Sequence, residues 1–185
     1  GESGSGKSMT AATLMNLLPR GANVRGALTF CDEPLYPRTE REWRALRGRD
    51  IAMVFQDSAS ALHPMLTVGT QMTEHMRTHL GLGRRAARQR AIELLDQVRI
   101  PDPQRALSRY PHQFSGGMRQ RVAIATALAC DPKLLIADES TTALDVTVQA
   151  GILALLSRLR SEMGLSVLFV AHDLGVLAAL TDRTY

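Results

Sequence analysis

Residues 114–145 read FSGGMRQRVAIATALACDPKLLIADESTTALD, and this stretch decides the fold. Ser115-Gly116-Gly117 opens a helical run. Glycines allow close backbone approach, and the first N–H groups of a helix have no partner inside it. That end is an anion site. The run from Met118 to Cys130 is apolar nearly all round after its first turn, which predicts a buried helix, and Asp131-Pro132 stops it. Leu134 to Ala137 is short and wholly apolar, the pattern of a strand covered on both faces. Asp138 and Glu139 follow at its C-terminal end, where open α/β sheets place their ligands. Two adjacent carboxylates there suit one metal ligand and one base. A solvated acidic turn after a core strand is the bland alternative.

Residues 1–8, GESGSGKS, fit GxxxxGK[ST]. The glycines permit a nest of N–H groups that cradles phosphate oxygens. Lys7 would reach the β- and γ-phosphates, and the Ser8 hydroxyl would bind Mg²⁺. A helix is expected over about residues 7–18, ending before Pro19 and Gly21. The chain starts inside this loop without the strand that anchors such loops, so it reads as truncated at both ends.

Between these blocks the chain alternates strand and helix signals. Residues 26–30 predict a short strand. Thr39-Glu40-Arg41-Glu42 is a capping box opening a short helix that Gly48 ends. Ile51 to Phe55 reads as a buried strand, with Gln56 directly after it. Helical patterns cover about 68–80 and 84–98, separated by Gly81 and Gly83. In the second, Ala87, Ala91, Leu94, Leu95 and Val98 share a face. Beyond Asp145, Val148, Ile152, Leu155, Leu156 and Leu159 share a helical face up to Gly164. Val167 to Val170 is a further apolar strand, followed by His172-Asp173.

Composition sets bounds. The 185 residues are 45% hydrophobic, 22% charged and 4% aromatic, with net charge +4 and pI about 9.6. That length supports one domain with a core. The basic residues are scattered, except Arg84, Arg85, Arg88 and Arg90, which are expected on a solvated helix face. With few aromatics for base stacking, no nucleic-acid partner is expected. Cys31 and Cys130 form no CxxC and suggest reduced thiols. No apolar run reaches the roughly 18 residues needed to span a bilayer. His63, His75 and His79 are expected at the surface rather than on a metal.

In order and spacing, these motifs resemble those of the ABC-type ATPases: phosphate loop, Q-loop, SGG signature, Walker B strand, D-loop and switch histidine. The resemblance implies an α/β fold, a P-loop NTPase core over 1–56 and 131–185 with an inserted helical subdomain over about 57–130. It implies ATP and Mg²⁺ as ligands. Gly1, Glu2, Ser3, Gly4, Ser5, Gly6, Lys7, Ser8, Met9 and Gln56 would bind ATP, and Ser8, Gln56 and Asp138 would hold Mg²⁺. Glu139 would polarise the attacking water, and His172 would contact the γ-phosphate. Ser115, Gly116, Gly117 and Met118 would meet ATP bound to a second ATPase subunit, with Asp145 in the D-loop.

YPHQFSGGMRQRVAIATALACDPKLLIADESTTALDVTVQA, residues 110–150 with the last quoted Ala at 150, is most similar to the ATPases of dipeptide, oligopeptide and nickel importers. That implies two transmembrane permease subunits, an extracytoplasmic substrate-binding protein, and a peripheral place on the cytoplasmic face of the inner membrane. DNA-repair ATPases usually insert coiled coils or zinc modules where this chain has only a compact helical block. A ribosome-associated ATPase would carry two cassettes. A binding-only relative is opposed by Glu139 and His172. Ser140 and Ser58 stand where that group has proline, and Phe114 where leucine is common.

Overall fold

The computed structural model describes residues 6–55, 61–138, 146–170 and 181–183. Three parallel strands form its centre: β3 (Ile51–Val54), β4 (Leu134–Asp138) and β5 (Ser166–Val170), in that spatial order. Val54 pairs with Ala137, and Ala137 with Phe169. The three strands therefore end level, side by side.

Period-2 alternation divides their side chains between two cores. Ile51, Ile136 and Val170 face one, with Ala11, Met15, Leu35 and Trp43. Ala52, Val54 and Leu135 face the other, which continues through the helices. Strands apolar at every position but their ends, Asp138 and Ser166, are what this double burial requires.

The first core is built by α1 (Lys7–Leu14), the hairpin β1 (Thr29–Phe30) and β2 (Glu33–Pro34), and α2 (Glu40–Leu46). The expected capping box forms. Thr39 N–H donates to Glu42 Oε2 at 2.7 Å, and Glu42 N–H donates to Thr39 Oγ1 at 3.4 Å. Two expectations here are corrected. α1 stops at Leu14, not near residue 18, because Asn16 takes the left-handed conformation (φ 51°). Leu17 N–H then donates to Ala12 O at 2.8 Å and Asn16 N–H to Thr13 O at 3.1 Å, a Schellman ending with Asn in the glycine position. The strand expected over 26–30 shrinks to Thr29–Phe30. It pairs with Glu33–Pro34 through Cys31 and Asp32, both at positive φ.

The second core holds α3 (Val68–Leu80), α4 (Arg84–Gln97), the single turn α5 (Pro103–Ala106), α6 (Gly116–Ala127) and α7 (Val146–Met163). The apolar face expected on the second helical pattern is buried: Ala87, Ala91, Leu94, Leu95 and Val98. α6 begins two residues before Met118, because Ser115 caps it, and ends at Ala127. Val122, Ile124 and Ala125 are fully buried in it. The arginine cluster divides. Arg84, Arg85 and Arg88 are exposed. Arg90 instead pairs with the Asp131 carboxylate at 2.5 Å and donates to Ala129 O at 3.1 Å, so it satisfies one carbonyl past the end of α6 and is half-buried. Cys31 is exposed, Cys130 is buried, and both are free thiols. Burial raises the Cys130 pKa and holds it as the unreactive thiol.

Candidate functional site

The site lies where the parallel strands end. β4 carries Asp138 as its last residue, one-tenth exposed. α1 begins over the same edge. Gly6 is its N-cap with φ 84°, a conformation open to glycine at no steric cost. The Ser8 Oγ donates to Asp138 Oδ1 at 3.2 Å. Two residues 130 apart in sequence are joined, one from the GxxxxGK[ST] motif and one from the strand end.

α1 is held from its other end. Arg47, the C-cap of α2, donates Nε–H to Met15 O at 2.7 Å and a guanidinium N–H to Asn16 O at 3.2 Å. Its guanidinium lies 5.5 Å from the Trp43 ring centre. Tyr36 adds a hydroxyl to Thr13 O at 2.6 Å. Cationic donors on the last carbonyls suit the negative end of the helix. No sequence motif marked Arg47, since an arginine after a short helix has many uses.

The second expected anion site is the start of α6. Ser115 is exposed, and its Oγ accepts from Met118 N–H at 3.3 Å. Gly116, Gly117 and Met118 are half-buried beside it. Met9 is half-exposed at the top of α1.

Of the expected site residues, Gly1, Glu2, Ser3, Gly4, Ser5, Gln56, Glu139, Asp145 and His172 lie outside the described residues, as do Ser58 and Ser140. In the sequence Gln56 is two positions beyond β3, Glu139 one beyond β4, and His172 two beyond β5. The three described strand ends are neighbours at the edge that carries Asp138.

Of the three histidines expected at the surface, His63 and His75 are exposed and His79 is half-buried. His63 Nδ1 accepts from Met65 N–H at 3.2 Å. His75 and His79 stack with ring centres 6.1 Å apart. Among the described residues no group of three or more His, Cys, Asp or Glu side chains is arranged to hold a metal ion.

The sequence pattern of the family described as "ABC transporter" matches residues 1–142. The chain belongs to the ABC transporter family. A Brucella abortus protein provisionally named as a peptide import ATP-binding protein is 54% identical over 184 residues, covering 99% of this chain and 55% of that protein. The oligopeptide transport ATP-binding protein OppD of Bacillus subtilis is 50% identical over 185 residues, covering 99% of this chain and 52% of its own length. The chain thus spans about half the length of these relatives. Among solved structures, the ATP-binding cassette MJ0796, a dimer bound to ADP and Pi in a post-hydrolysis state, superposes with a TM-score of 0.80. It is 32% identical, over 95% of this chain and 74% of that one. The ABC cassette fold expected from the motifs is therefore the fold of this chain. Among the described residues no helix is long and apolar enough to cross a membrane.

Proposed function

We propose that this chain is the ATP-binding and ATP-hydrolysing part of an importer whose solutes are peptides. The observation that carries the reading is the Ser8 Oγ–Asp138 Oδ1 bond of 3.2 Å. It joins a phosphate-loop hydroxyl to the carboxylate at the end of a buried strand. Relatives named for peptide and oligopeptide import support the solute class.

In this reading residues 1–56 and 131–185 form the nucleotide-binding core, and about 57–130 form a helical subdomain carrying the signature. The N–H groups at the start of α1 hold the phosphates, and Lys7 reaches the β- and γ-phosphoryl oxygens. A hydroxyl and a carboxylate are hard oxygen donors. This suits Mg²⁺, which takes one or two protein oxygens plus phosphates and water. Ser8 and Asp138 would hold it, with Gln56. Bound there, Mg²⁺ would supply positive charge against the phosphoryl oxygens. Glu139 accepts a proton from the water that attacks the γ-phosphorus, and the bond to the β–γ bridging oxygen breaks. His172 donates to the γ-phosphoryl group. Ser115, Gly116, Gly117 and Met118 face the nucleotide of a second ATPase subunit, where their N–H groups stabilise the transferring group. Asp145 lies at the joint between the two subunits. Two permease subunits and an extracytoplasmic binding protein complete the assembly, which holds this chain at the cytoplasmic face of the inner membrane.

The test pairs two substitutions in the full-length protein. Glu139→Gln keeps size and one acceptor oxygen but cannot take a proton. It should retain ATP and lose hydrolysis by about 10²–10⁴-fold, leaving a nucleotide-trapped dimer on size-exclusion chromatography. Asp138→Asn should weaken ATP binding itself. Near-normal phosphate release from Glu139→Gln would remove it from the base role. In vesicles holding the assembled importer, ATP-driven uptake of nickel rather than peptide would reassign the solute.

A further inference from the structure

Gly117 is the second residue of α6, and its backbone has no left-handed φ. Nothing in its own conformation calls for glycine. What calls for it is a neighbour. A Cβ at Gly117 would lie 2.7 Å from Val148 Cγ1, 3.8 Å from Val148 Cγ2 and 3.9 Å from Val148 Cβ. Favourable carbon–carbon contact begins near 3.5 Å, so the first distance is a collision.

The collision has no easy outlet. Val148 is the third residue of α7, and a valine in a helix is largely confined to one χ1 rotamer. The helices cannot slide freely either. One turn along α7, Ile152 is fully buried, and within α6 so is Val122. Both are anchored in the same core, with Val148 and Met118 packed against its margin. A methyl group at position 117 would therefore tilt the first turn of α6, which carries the amides proposed to face the nucleotide.

We propose that Val148 is a positioning residue. It sets the height of the first turn of the signature helix, and position 117 is glycine to receive it. α7 begins immediately after Asp145 in the sequence. This contact therefore ties the start of the signature helix to the segment leading from the D-loop of the same subunit. The activity consequence rests on the proposed function, but the contact itself does not.

The experiment uses the full-length protein with four changes: Gly117→Ala, Val148→Ala, the Gly117→Ala/Val148→Ala pair, and a Gly117→Ala/Val148→Thr control that keeps the branched side chain. Melting temperature is measured without nucleotide, and kcat and KM with ATP. Gly117→Ala should lower the melting temperature and cut kcat by about 10²-fold, the scale of an ångström-sized misplacement. The alanine pair should return both to the values of Val148→Ala alone, and the threonine control should return neither. An alanine pair no better than Gly117→Ala overturns the proposal. So does a Gly117→Ala protein that melts like the parent while losing kcat, since the nucleotide alone would then require the glycine. If Gly117→Ala is insoluble, soluble expression of the alanine pair supports the contact and continued insolubility overturns it. If parent and Val148→Ala both fail to hydrolyse ATP, the proposed function falls, and the melting series still decides the contact.

Discussion

Gly6 and Gly117 stand at the starts of α1 and α6, and each glycine is there for a different physical reason. Gly6, before α1, sits at φ 84°, and a Cβ there meets no described atom within 4 Å. Space is free, and conformation is the constraint. Gly117, inside the first turn of α6, has an ordinary helical φ, and a Cβ there collides with Val148 at 2.7 Å. Conformation is free, and space is the constraint. The difference separates the two proposed anion sites in kind. The start of α1 is shaped locally and joins its own strand edge through Ser8 and Asp138. The start of α6 is shaped by a distant helix and leaves its hydroxyl on its own backbone, at Met118 N–H.

The largest effect expected from this contrast concerns ATP binding by a single subunit. Lys7→Ala removes a charged donor from the α1 end. A hydrogen bond to a charged group contributes about 1.5–3 kcal/mol, so affinity should fall roughly 10–10²-fold. Ser115→Ala acts at the α6 end and should leave the monomer's affinity where it was, if that end serves a partner's nucleotide. Fluorescent-nucleotide titration below the dimerisation concentration checks both. Equal affinity for Lys7→Ala and parent would remove the phosphate-loop assignment. Weakened monomer binding by Ser115→Ala would make the two ends one site in cis.

Next in size is backbone strain. Gly6→Ala forces an L-residue into the left-handed region at about 1–2 kcal/mol, which urea unfolding without nucleotide should read. Unlike Gly117→Ala, it has no neighbour whose trimming restores it. A Gly6→Ala protein as stable as the parent in that assay would mean that the nucleotide-free protein does not hold φ 84° at position 6.

The contrast also marks what could be read from residues in order. The strands β3, β4 and β5 were legible, to within a residue at their ends, because burial on both faces leaves apolar runs; Phe55, expected inside β3, lies beyond it and is 44% exposed. The Ser8–Asp138 contact was legible because the GxxxxGK[ST] pattern and a carboxylate closing an apolar run each carry local signals. The Thr39 box was legible for the same reason. The end of α1 was not, because Asn16 supplies a left-handed C-terminus where glycine is the usual mark. Nor was the β1–β2 hairpin. Its two turn residues, Cys31 and Asp32, lack the Asn-Gly type of signal, and Pro34 is a residue that strands admit only at edges. Arg90 was assigned to solvent because a helix pattern does not reveal that Asp131 lies beside it. Gly117 was legible as a glycine and not as a contact, since position 148 is a valine like others on an apolar face.

The smallest effect expected compares two of the side-chain caps, Ser115 and Thr39, and is separable by pH. Ser115 caps α6 through one bond, Met118 N–H to Oγ at 3.3 Å, with a neutral residue at the third helical position. Thr39 caps α2 with Glu42 at that position. Its hydroxyl and its N–H both donate to Glu42 Oε2, at 2.6 and 2.7 Å. These bonds, the hydroxyl's first and the backbone N–H second, lower the Glu42 pKa below its ordinary 4.5. A depressed carboxylate pKa contributes stability that is present above the unfolded value and lost as pH falls through the folded one. Ser115→Ala should therefore cost about 0.5–2 kcal/mol, and Ser115→Gly only a few tenths, at neutral and mildly acidic pH alike. The loss caused by Thr39→Ala should shrink as pH falls below about 4.5, because the parent loses the ionised half of its box there. Chemical denaturation of both variants and the parent at neutral pH and near pH 3.5 is the measurement. A Thr39→Ala deficit that stays constant across that range would show the Glu42 bonds to be neutral in energy. A Ser115→Ala deficit that shrinks in acid would tie the start of α6 to a carboxylate, and that would erase the difference between the two caps.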